Sequence, residues 1–60
     1  MWYGEMTEEL EQLYSVYEEK FGIDPGGHME VEYGQKHYRD YVRDIKLALK
    51  TGKELPEVTD

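Results

Sequence analysis

Residues 7–23 read TEELEQLYSVYEEKFGI, and this stretch decides the fold. Thr7 suits a helix N-cap, because its hydroxyl can accept from an N–H of the first turn. Glu8 and Glu9 follow where negative charge favours the exposed N–H groups. Leu10, Leu13, Tyr14, Tyr17 and Phe21 then recur every three or four residues, the apolar stripe of an amphipathic helix. Gly22 can turn left-handed past the last turn, and Ile23 can fold back onto it. The pattern predicts a helix over 8–21.

Beyond it, Asp24-Pro25-Gly26-Gly27 reads as a turn: proline presets the first central φ, and Gly26 tolerates the positive φ of a type II turn. Residues 28–33 alternate polar and apolar, sending Met29, Val31 and Tyr33 to one side of an extended segment. A lone strand is unstable, so this segment pairs either with the N-terminus, Met1–Tyr3, or with its copy in a dimer. Irregular structure fits it nearly as well. A second helix is predicted over 35–50, with Tyr38, Tyr41, Val42, Ile45, Ala48 and Leu49 as its stripe. Gly52 supplies the stop, Pro56 bars continuation, and 57–60 are expected to fray. The expected fold is therefore mainly α: an antiparallel two-helix hairpin (8–21 and 35–50) with a turn and a short extended segment (28–33) between, in one small domain spanning 1–60.

Sixty residues bury only about 60% of the surface the unfolded chain exposes. With no cysteine, neither a disulfide nor a thiolate zinc site can add to that. Six tyrosines, one tryptophan and one phenylalanine must supply much of the core, each ring burying about 150–250 Å². The N-terminal residues lack a basic region followed by an apolar run, so no secretory signal is expected. No stretch approaches the roughly 20 apolar residues of a membrane span, and the expected location is cytoplasmic.

The charge is divided. Residues 1–34 carry nine acids against one base, Lys20, while residues 35–60 carry five acids and six bases, for a net −7. Duplex DNA and anionic membranes are poor partners for such a chain. On a helical wheel Glu11 and Glu18 lie about 80–100° clockwise of Leu10. Lys36, Arg39, Arg43, Lys46 and Lys50 form a row of the same sense on the second helix. Antiparallel packing brings same-sense flanks together and sets Glu18 near Arg39 and Glu11 near Lys46. A parallel pair would instead bring the basic row against the edge of Glu9 and Lys20. Such a row could bind phosphate or RNA, but the acids that satisfy it are in the same chain, so an internal charge interface is expected. The connection of about a dozen residues also exceeds the 3–4 of a DNA-reading helix-turn-helix.

Chemistry finds few candidates. His28, Glu30 and Glu32 share one face of the extended segment, yet three such ligands without a supporting shell do not make a metal site. Ser15 has no base beside it, the carboxylates have no enclosed apolar pocket, and Gly26-Gly27 leads into no phosphate-binding lysine or helix. Neither cofactor, metal nor catalytic activity is expected. What remains for a partner is the outer face of the first helix, Glu8 and Glu19, together with Glu30 and Glu32. These would present carboxylates to a basic, nucleic-acid-binding protein. In size and composition, though in no motif, the chain resembles the small acidic proteins by which phages and mobile elements inhibit restriction or CRISPR effectors. The alternative is a structural or assembly module acting through its own homodimer or within a larger complex, by an apolar patch of Trp2, Val16 and Leu47.

Overall fold

In the computed structural model, which describes residues 2–28 and 31–58, the first helix, α1, spans Glu8–Phe21 as its stripe predicts. Thr7 caps it, its Oγ1 accepting from the Leu10 N–H at 3.2 Å. Gly22 ends it at φ 80°, a left-handed conformation that glycine adopts without penalty, and its N–H donates to the Glu18 carbonyl at 2.7 Å. The next turn differs from expectation. Pro25–Gly27 form a single 3₁₀ turn, closed by the Gly27 N–H on the Asp24 carbonyl at 3.0 Å, and Gly26 stays out of the left-handed region. Glycine is suited to position 26 by close approach instead, since a Cβ there would lie 3.2 Å from the Tyr14 hydroxyl.

Among the described residues, the expected extended segment forms an isolated parallel bridge between Trp2 and Tyr33, with the Tyr3 N–H donating to the Tyr33 carbonyl at 2.9 Å. Met29 and Glu30 lie outside the described residues. A 3₁₀ turn over Gln35–His37 leads into α2, Tyr38–Thr51. In that turn the His37 ring accepts the Gly34 N–H through Nδ1 at 3.2 Å. Gly52, at φ 78°, ends α2.

The chain end also departs from expectation. Leu55–Val58 form a short helix, α3, that takes in Glu57 and Val58, while Thr59 and Asp60 lie outside the described residues. Leu55 is the cause: it is fully buried, and its N–H donates to the Tyr17 hydroxyl at 3.0 Å. Pro56, expected only to stop α2, is tolerated in a first helical turn because its missing N–H would have no intrahelical partner there.

The molecule is thus mainly helical, α1 and α2 packing together as a helical hairpin with α3 against α2. The core is Leu10, Tyr17, Tyr33, Tyr41, Val42, Ile45, Ala48 and Leu55. Leu13, Phe21, Tyr38 and Leu49 pack at its edge. Among the described residues, no helix is long and apolar enough to cross a membrane.

Candidate interaction surface

The register of the hairpin is set by tyrosine hydroxyls. Tyr38, the first residue of α2, meets the Thr7 Oγ1 at 2.8 Å and donates to Glu9 Oε1 at 3.1 Å. Tyr14 and Tyr41 join hydroxyl to hydroxyl at 2.5 Å. Tyr33 donates to the buried carboxylate of Asp44 at 2.7 Å. Burial raises the Tyr41 phenol far above its ordinary value, and burial likewise raises Tyr14 and Tyr17.

This register corrects the expected charge pairing. Lys46 reaches Glu9 at 3.7 Å, not Glu11. Arg43 turns to acids of its own helix, Asp40 at 3.5 Å and Asp44 at 3.4 Å. Among the described residues, neither Glu11–Lys46 nor Glu18–Arg39 forms an ion pair. The edge of α1 that meets the basic row is the Glu9 edge, which the expected antiparallel register did not place there, and the Tyr38 hydroxyl joins Thr7 and Glu9 to the first turn of α2.

The outer face of α1 is consequently more open than its sequence implies. Glu8, Glu11, Glu18 and Glu19 are all exposed, and none joins an ion pair among the described residues. Gln12 and Ser15 are exposed between them, and Val16, 51% exposed, lies along their edge. Glu32 is exposed on a separate segment, before Tyr33, and Glu30 lies outside the described residues. Of the four carboxylates singled out from sequence, Glu8 and Glu19 lie on the outer face of α1, where the exposed Glu11 and Glu18 join them.

The apolar patch divides as well. Val16 and Leu47, the latter 40% exposed, stay on the outer surfaces of α1 and α2. Trp2 is instead half-buried, stacked on Tyr41 at 4.8 Å with planes 8° apart, its indole N–H on the Glu5 carbonyl at 3.2 Å. The parallel bridge to Tyr33 delivers it to the core rather than to a neighbour.

Between α1 and α2, Glu9 of the first helix and Tyr38, Arg39, Val42, Arg43 and Lys46 of the second line a depression of about 400 Å³, with the apolar parts of Tyr38 and Val42 between the cations. The basic row, expected to pair with Glu11 and Glu18, faces solvent beside Glu9. His28 is turned inward, 6% exposed, with Nε2 at 2.6 Å from the Tyr17 hydroxyl and 3.7 Å from Glu54. Among the described residues, no three metal-capable side chains cluster. The tyrosine count was the sequence signal for these contacts: each buried hydroxyl must find a partner, and those partners set the register. No protein-family model, curated protein or solved structure matches the chain.

Proposed function

We propose that this chain is a non-enzymatic interaction module that docks the acidic outer face of α1 on a basic, nucleic-acid-binding surface of a partner protein. One observation carries the reading: Glu8, Glu11, Glu18 and Glu19 are exposed along α1 and, among the described residues, free of ion pairs. Along the helix axis Glu8 and Glu11 lie about 4.5 Å apart, Glu18 and Glu19 about 1.5 Å apart, and the two pairs about 10 Å from each other. A basic surface that holds phosphates meets two clusters of carboxylates on a rigid helix, and the chain would act as an inhibitor by occupying it. Val16 adds an apolar contact beside a polar rim, the usual composition of a docking patch.

The test compares proteins captured from a lysate by the native chain with those captured by a Glu8→Gln, Glu11→Gln, Glu18→Gln, Glu19→Gln variant. The native chain should retain basic proteins and release them to a DNA oligonucleotide or to salt, as screening shortens the field. The Gln variant, little changed in shape, should lose them. An identical captured set for both chains, indifferent to salt, overturns the reading.

A further inference from the structure

We propose that the exposed basic face of α2 is a receptor for the acidic α1 face of a second copy of this chain. The inference rests on the reading of α1 as a docking face and names one partner for it. Its starting point is the complementarity that the hairpin leaves unused. Glu11 and Glu18 stand seven residues apart, as do Arg39 and Lys46; Glu8 and Glu19 stand eleven apart, as do Arg39 and Lys50. At 1.5 Å of rise per residue the two outer rows match over about 16 Å. Within one copy they do not meet, for Lys46 is held by Glu9, and neither Arg39, Lys50, Glu11 nor Glu18 joins an ion pair among the described residues.

Laid antiparallel across two copies, the rows set Glu19 against Arg39, Glu8 against Lys50 and Glu11 beside Lys46. Val16 lies about 60° clockwise of Glu19, and Leu47 about 60° clockwise of Lys50. Same-sense edges meet in antiparallel packing, so these two exposed apolar side chains fall on one edge of the contact, within about 8 Å along the axis. On the other edge the depression bordered by Tyr38 and Val42 faces Glu11 and Glu18. The net charge of −7 does not forbid the contact. Two copies one molecular width apart, 25 Å, are about three screening lengths apart at physiological salt, whereas touching charges lie well within one. The contact joins different faces, so two copies that exchange it twice close as a two-fold dimer, and copies that do not close extend.

Sedimentation of the full chain from micromolar to millimolar concentration at physiological salt tests this. The native chain should form dimers or larger species as concentration rises. A Glu11→Lys, Glu18→Lys, Glu19→Lys variant carries three cations on the α1 face, leaving Glu8, and an Arg39→Glu, Lys50→Glu variant carries two acids in the α2 row; each alone should stay monomeric. Mixed, the intact acidic face of one meets the intact basic face of the other, and the mixture should form heteromeric species that neither variant forms alone. Far-UV circular dichroism verifies that both are folded, and milder Glu11→Gln, Glu18→Gln and Arg39→Gln, Lys50→Gln pairs should weaken native association at least tenfold. A native chain monomeric throughout, a mixture without heteromeric species, or association untouched by the Gln pairs overturns the proposal. The Arg39→Glu, Lys50→Glu variant keeps its acidic α1 face. Its capture of basic proteins therefore reads the partner hypothesis separately from self-association.

Discussion

Gly4 is held to glycine by its neighbour. A Cβ there would come within 2.2 Å of the Trp2 ring and 2.8 Å of the Gln35 side-chain oxygen. Gln35 in turn accepts the Glu5 N–H at 2.7 Å, so the N-terminal strap is pinned on both sides of the glycine. Gly4→Ala should push the indole off Tyr41, shifting tryptophan emission to the red and costing roughly 1–3 kcal/mol, the usual range for overpacking. An unchanged spectrum would show that the strap absorbs the methyl group. The sequence marks Trp2 as a large apolar residue near an end and suggests an association patch. Which of Tyr33, Tyr38 and Tyr41 it would meet depends on a single backbone bridge that leaves no periodic trace.

At the scale of elements, helix limits were legible and helix register was not, for reasons of range. Thr7, Gly22 and Gly52 act on their own chain ends, so the stripe and its caps suffice to place α1 and the stop of α2. The relation between α1 and α2 depends on side chains some thirty residues apart, Thr7 with Tyr38 and Tyr14 with Tyr41. A wheel treats a tyrosine as apolar area and omits its hydroxyl, so it favours the Glu11–Glu18 flank over the Glu9 edge. α3 was missed because two apolar side chains in four residues, Leu55 and Val58, are too few to show a period. The corrected register makes a distinct prediction. Lys46→Glu should cost about 0.2–1 kcal/mol, the worth of an exposed pair, and Glu9→Lys in the same molecule should restore it. Glu11→Lys in place of Glu9→Lys should restore nothing. If urea midpoints show rescue through Glu11, the flank expected from the wheel is the true neighbour.

For the whole molecule, the buried phenols of Tyr17 and Tyr41 and the half-buried phenol of Tyr14 tie stability to alkaline pH. Burial raises Tyr41, Tyr14 and Tyr17 above the ordinary 10.0, with the Tyr14 hydroxyl adding to the effect on Tyr41, and Asp24 and Glu54 adding to Tyr14 and Tyr17 respectively. The folded chain therefore holds these protons more tightly than the unfolded one. Their contribution is fully present below pH 10 and is lost as pH rises through the folded values. Urea midpoints should be level up to about pH 9 and fall by about pH 11, with phenolate absorbance appearing together with unfolding. A level midpoint across that window would mean that the phenols are open to solvent.

The path from α2 to Leu55 bears on how long the molecule survives. Thr51, Gly52 and Lys53 are exposed, yet two residues further on the chain enters the core at a leucine with no exposed surface. A peptidase cutting beside Lys53 would detach that leucine from the rest of the fold. Losing such a side chain costs about 2–5 kcal/mol, against a total stability of roughly 3–9 kcal/mol for a chain of this length. One cleavage at this exposed link would remove a large share of that stability and open the remainder to further cuts, so the peptide bonds around Lys53 weigh heavily on the half-life of the intact chain.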